Sequence, residues 1–349
     1  MNRRDFLKLS TAAAGAAFAS QIVPGISYAS KEITNQRGPV SDLEVKAMVF
    51  DISYVTQILS SPKSGEKTRF WIPLPKSDVE QEITRLSIES PVPFNINEEP
   101  KFRNQMVFVG PENLKAGGFI SVAYRIRRKT IGTVQDRNED ISKHSVLTGR
   151  EKADGAIAAF VKRVVGSEKD PVKVGRRVFD ALVETLTYDK TIPGCGMGNS
   201  VWTFRNKAGK CDDFHALFRT MMISKGVPVK WEQGIALSYP SAITTSGEME
   251  GDCTGAHCWV RFHAGDGNWV PVDVSEANKR PEMREFFFGN LSPNRFKVSS
   301  GRDLILEPAQ GGEPLNSFPY THAEAGGIPL IYGHHFRNRI RFEVVRIEV

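Results

Sequence analysis

Residues 209–218 read GKCDDFHALF, and what Cys211 is for decides the reading of the whole chain. Phe214, Leu217, Phe218, Met221 and Met222 fall on one stripe at helical spacing, and Lys225-Gly226 ends the run before Val227-Pro228. Cys211 therefore sits at a helix start. There, unpaired N–H groups and the helix field favour a negative sulfur, and the same N–H groups can serve an oxyanion. Asp212 and Asp213 act against a thiolate unless they point elsewhere. Taken alone, the stretch favours a buried core thiol over a nucleophile.

A nucleophilic cysteine needs a histidine to hold its proton and an acid to orient that histidine. His257 and Asp273 offer both, on two strand-like runs, HCWVRFHA and WVPVDVS, joined by Gly265-Asp266-Gly267-Asn268. The length of that turn decides whether they meet. A two-residue turn at Asp266-Gly267 sets Val260 opposite Asp273 and turns His257 to the other face. A three-residue loop, 265–267, sets Trp259 opposite Asp273 and returns His257 to the same face. The three-residue loop, or an equivalent bulge, is expected, because Gly267 supplies a left-handed residue without steric cost. Trp259 then lies in the cleft, excluding water. Trp202 and Asn206 either pack or offer side-chain N–H groups to an oxyanion. His215 is expected to pack or face solvent from the helix flank, and His263 lies nearer the turn. His334-His335 lack the convergent partners of a metal site, and no metal or cofactor is expected.

Together these blocks carry a resemblance. Gly209/Cys211 at a helix start, Gly226/Pro228 after it, His257/Trp259 on one strand and Trp269/Val270/Asp273 on the next resemble the transglutaminase-like superfamily. The resemblance spans roughly residues 150–280. It implies a papain-related α+β core, with Cys211 as nucleophile, His257 as general base and acid, and Asp273 as orienter. The implied activity is attack on an amide carbonyl through a thioester, with hydrolysis of peptide or amide substrates expected. Amine transfer that crosslinks protein glutamine is the alternative, and a non-catalytic binding or assembly protein on the same fold is the alternative of another class.

The rest of the 349 residues frames this core. Residues 1–29 open MNRRDFLKLS, continue through an interrupted Ala/Gly-rich run and end at Ser27-Tyr28-Ala29. They resemble a twin-arginine signal peptide, which implies the twin-arginine export machinery as a partner and a periplasmic location without a stable membrane anchor. Residues 30–140 alternate as strands, with VKAMVFDISYVTQIL and FISVAYRIRRKTI the clearest, and predict a β-sandwich-like domain. Residues 141–290 turn helical and then β, forming the catalytic domain. In that segment Asp170-Pro171 starts a helix. The segment 240–256 is expected to be structureless, either a lid or a floppy insertion. Residues 291–349 return to strand-like runs, RFKVSS, DLILEP and FRNRIRFEVVRIEV, as a β-rich tail.

A formal charge of +6 is mild for this length, and its alternating basic tail, Arg337 to Arg341, reads as a solvated strand face. No nucleic-acid partner is expected; the expected partner is a peptide, protein or amide substrate. The cysteines are Cys195, Cys211, Cys253 and Cys258. Cys195 and Cys253 lie in Gly-rich loops flanking the expected cleft, so any disulfide is expected to join those two.

Overall fold

The computed structural model describes residues 41–62, 66–242 and 244–349; the leader lies outside the described residues. The fold is α+β, built on three five-stranded sheets. The first holds β1 (Ala47–Ile58), β3 (Gln81–Glu89), β6 (Phe119–Lys129), β11 (Ser246–Glu250) and β17 (Phe336–Glu348), in the order β11-β17-β1-β6-β3. The second holds β2 (Thr68–Leu74), β4 (Phe94–Glu98), β5 (Gln105–Glu112), β15 (His322–Ala325) and β16 (Ile328–Pro329), in the order β16-β15-β2-β5-β4. Period-2 alternation along β1 and β6 buries Phe50, Ile52, Tyr54, Val122 and Tyr124 against Phe70, Ile72, Val107 and Val109 of the second sheet. Each large side chain of that interior contributes roughly 1.5–3 kcal/mol.

The third sheet carries the chemistry. It holds β7 (Val134–Gln135), β10 (Val229–Ala236), β12 (Ala256–His263), β13 (Asn268–Val272) and β14 (Arg295–Ser300), in the order β14-β10-β12-β13-β7. A short parallel pair, β8 (Thr187–Tyr188) and β9 (Ala208–Gly209), precedes the cysteine helix. The helices are α1 (Gly155–Val165), α2 (Pro171–Thr185), α3 (Ser200–Asn206), α4 (Cys211–Ser224) and α5 (Val274–Lys279). Asp170 caps α2 by accepting from the Val172 and Lys173 amides, and Pro171 occupies its first turn. Ile157 and Val161 of α1 and Val174, Val178 and Leu182 of α2 share one core with Phe214, Leu217, Phe218 and Met221 of α4. Cys258, Val260 and Phe262 of β12 belong to that core too, so α4 lies between a helical layer and the sheet.

Two stretches depart from expectation. The segment 240–256 is not structureless: Ser246–Glu250 forms β11, and its Glu248 and Glu250 pair with Arg337, Arg339 and Arg341 of β17. Its acid–basic complementarity with the tail was the missed signal. DLILEP makes only a single bridge, Leu304 to Leu315, because Leu304 and Leu306 instead fill a small core with Trp71, Phe108 and Phe318. The C-terminal stretch 291–349 meanwhile supplies β14 to the third sheet, β15 and β16 to the second, and β17 to the first. Among the described residues, no helix is long and apolar enough to cross a membrane.

Candidate active site

Cys211 is the first residue of α4, and the chain before it is held from the helix side by Asp213. Asp213 Oδ2 accepts from the Lys210 amide at 2.9 Å, and Oδ1 accepts from the Met197 and Gly198 amides, both at 2.9 Å. A Cβ on Gly209 would come within 2.4 Å of the Asp213 Cβ, so only glycine fits behind the cysteine. Asp213 thus turns back into the 196–198 loop. Asp212 accepts from Asn316 Nδ2 at 3.0 Å. Burial, only partly opposed by Arg302, lifts the Asp212 carboxyl to about 7. Asp213 spends its charge on three amides, and burial weakens the charge of Asp212, although both acids still feel the Cys211 sulfur.

The hairpin between β12 and β13 pairs Val260 with Val272, Arg261 with Pro271, Phe262 with Val270 and His263 with Trp269. That is the register of the three-residue loop, with Gly265, Asp266 and Gly267 all at positive φ. Continued by one step, it sets Trp259 opposite Asp273. Strand pairing ends there, because Asp273 caps α5: Oδ1 accepts from the Glu276 amide at 2.9 Å and from Ser275 Oγ at 3.1 Å. The other oxygen, Oδ2, lies 2.7 Å from His257 Nε2 and accepts from Arg295 Nη1. His257 therefore presents Nδ1 to the sulfur.

Cys211, His257 and Asp273 are all buried, at 4%, 5% and 0% exposure. Burial alone would push the imidazole down, but the charge and hydrogen bond of Asp273 outweigh it and raise His257 to about 9. Asp273 itself, despite burial, is held well below the usual carboxylate range by the charges of His257 and Arg295. A hydrogen bond from the Cys258 thiol, followed by the hydrogen bond and charge of His257, holds Cys211 well below the usual thiol value against its burial. Cys258 goes the other way, pushed well up by burial and by Cys211. These directions favour a proton on the imidazole over one on the sulfur, with a carboxylate behind the ring.

The remaining sequence candidates fall elsewhere. Trp259 is buried on the His257 face, its ring centroid 6.1 Å from the imidazole, but its indole N–H donates to Glu232 at 2.6 Å and is not free for an oxyanion. Asn206 is exposed and donates to the Trp202 carbonyl one turn back, so its amide closes α3 and does not reach across to the cysteine. Trp202 is half-buried on α3. Cys195 and Cys253 are joined, with Cα atoms 5.7 Å apart, which links the 196–198 loop to the segment entering β12. His215, expected to pack or face solvent, is fully buried and bonded at both ring nitrogens. A cavity of about 560 Å³ opens beside Glu80, Glu232, Arg261 and Lys297; none of Cys211, His257 or Asp273 lines it.

Residues 158–274 match the family model of the transglutaminase-like superfamily, spanning α1 through the acid that caps α5. This stretch is a transglutaminase-like core. A crystal structure from Cytophaga hutchinsonii, described as a candidate cysteine protease, shares the fold. It is 17% identical with a TM-score of 0.50, over 85% of this chain and 98% of that one. An uncharacterized protein of Haemophilus influenzae is 23% identical over 330 residues, covering 83% of this chain and 89% of its own.

Around the transglutaminase-like core's site, Glu276 and Arg295 escaped the sequence reading, and so did the bonds that His215 makes. Glu276, with Oε1 3.8 Å from His257 Nε2, accepts from the Tyr239 hydroxyl at 2.6 Å and pairs with Lys279. The pattern Asp273-x-x-Glu276 is a helix-start signature that could have located it. His257, Asp273 and Glu276 lie within 4.8 Å of one another, a spacing a metal could use. Arg295 and Lys279 already pair with the two carboxylates, and their positive charge opposes a cation there. Arg295 comes from β14, outside the matched region, and His215 from the helix itself. Nothing local in the sequence marks either one.

Proposed function

We propose that this chain is an exported cysteine-dependent hydrolase of peptide or other amide bonds. The observation that carries the reading is the 2.7 Å bond between His257 Nε2 and an Asp273 carboxylate kept ionised, behind a thiol kept ionised in turn. In the acylation step the Cys211 sulfur attacks the amide carbon and the carbonyl oxygen becomes an oxyanion. The free N–H groups of the first turn of α4 stabilise it. The C–N bond breaks as His257 gives its Nδ1 proton to the leaving amine, which leaves a thioester and a neutral imidazole. That imidazole takes a proton from water, hydroxide attacks the thioester, and the acid product leaves with thiolate and imidazolium restored.

Hydrolysis is preferred over amine transfer because water is always present and, among the described residues, no feature of the site marks a second-amine pocket. The twin-arginine leader and the joined Cys195–Cys253 pair support an oxidising compartment, the periplasm. The test is acyl-enzyme trapping on an amide library, with ammonia or amine release and amine incorporation followed together. A thioester at Cys211 that water resolves is the expected result. Incorporation of added amine in place of hydrolysis would select the transfer reading. No adduct with any amide, from protein whose Cys211 alkylates normally, would sink catalysis altogether.

A further inference from the structure

The cysteine helix and the acid loop come from chain segments about sixty residues apart, yet one side chain bridges them. His215 is one turn beyond Cys211 on α4 and has no solvent exposure. Its Nδ1 lies 2.8 Å from the Cys211 carbonyl oxygen, and its Nε2 lies 3.1 Å from the backbone amide of Val274, the residue after Asp273. A backbone N–H can only donate, so Nε2 must present its lone pair. The proton is then on Nδ1, where the Cys211 carbonyl accepts it. A single tautomer satisfies both bonds. Asp273 Oδ1 lies 3.5 Å from Nε2, but a nitrogen that accepts from the Val274 amide has no proton to give it.

Two further contacts make the bridge specific to the reacting groups. Cys258 Sγ, the thiol that supports the Cys211 sulfur, lies 3.5 Å from the same Nδ1. The ring packs edge-on to His257 and to Trp231, with centroids 6.4 Å away in each case, so it has no room to turn over. We propose that His215 is a positioning residue for the triad: it locks the first turn of the cysteine helix to the loop carrying Asp273, so that sulfur and imidazole face each other before substrate arrives. It touches no substrate. The inference rests on the reading of Cys211, His257 and Asp273 as a working triad, but it makes its own demand on geometry.

Three measurements on the full chain test it. In the unsubstituted protein, 15N histidine spectra at neutral pH should show His215 with an unprotonated Nε2 and a protonated Nδ1; the opposite tautomer overturns the bridge and needs no variant. His215→Phe keeps the volume and removes both bonds, whereas His215→Gln keeps one donor and one acceptor. Iodoacetamide alkylation of Cys211, corrected for the folded fraction, should slow about tenfold at neutral pH in His215→Phe. Its inflection should move up toward that of a free thiol, about 8.5. His215→Gln should recover part of both changes, and on a cleavable amide the loss should fall on kcat with KM held. If His215→Phe melts lower but alkylates on the parent profile, or His215→Gln does no better than His215→Phe, His215 only packs. Alkylation needs no substrate, so a protein that passes these tests and cleaves nothing would refute the hydrolase reading alone.

Discussion

The Arg295 guanidinium and the His257 imidazole bond the same atom, Asp273 Oδ2. Arg295 is 1% exposed, donates also to Ser292 Oγ, and lies over the Trp259 ring at 5.4 Å. Its charge keeps Asp273 ionised and at the same time tempers the basicity of His257. Arg295→Met should therefore have two separable effects. Breaking one side of a buried ion pair should destabilise the protein by about 3–5 kcal/mol in denaturant melts. In the folded fraction, the basic limb of activity should move to higher pH; a limb that stays in place would show that Arg295 does not act on His257.

The pH profile follows from the triad's signs. His257 must carry a proton to release the leaving amine, and it holds that proton up to about 9. The rate kcat/KM should stay high through neutral pH and fall as pH rises through about 9, because the thiolate, already formed, gains nothing further. The same pair should be nearly silent in stability between about 6.5 and 8.5. A raised histidine stabilises the fold below its own value, a lowered cysteine stabilises it above its own, and one proton simply passes between them. Thermal melts of the Cys211→Ala and His257→Gln single variants should each develop a pH slope in that window, of opposite sign, that the parent lacks.

Two free thiols are buried beside one another, yet their chemistry diverges. Cys211 is held low and Cys258 is pushed high. A small electrophile near pH 7 should therefore label Cys211 at least about a hundredfold faster than Cys258. His257→Ala should narrow that difference, leaving the part that the Cys258 hydrogen bond and the burial of Cys258 supply. Peptide mapping that finds Cys258 modified first would reverse the assignment of nucleophile.

The Cys195–Cys253 bond closes a 58-residue separation and ties the loop gripped by Asp213 to the segment that enters β12. The double variant Cys195→Ser/Cys253→Ser should lose about 2–4 kcal/mol of stability. Thiol titration of the denatured, unreduced parent should count two free thiols, and after reduction four. Four without reduction would show that the bond does not form.

Much of this was legible before any coordinates. The stripe Phe214–Met222 and the stop at Lys225-Gly226 marked α4, because helical spacing is a local property of the chain. Asp170-Pro171 marked the start of α2 for the same reason. The hairpin register was legible too: Gly267, a left-handed residue at no steric cost, favoured the three-residue loop over the two-residue turn. β4 was not legible, since FNINE sits at a sheet edge where polar residues are as welcome as apolar ones.

The sequence by itself determined the cysteine helix, the hairpin after it, and where along them a thiol, an imidazole and a carboxylate stand. It could do so because caps, periodicity and turn residues act over a few neighbours. Only the tertiary structure decided that Arg295 shares the oxygen that His257 uses, that His215 turns inward to join Cys211 to Val274, and that the acids beside the cysteine bond Lys210 and Asn316. Those relations link residues that the chain separates, and neither a charge nor a ring nitrogen records in its own neighbourhood which distant group burial will make it face.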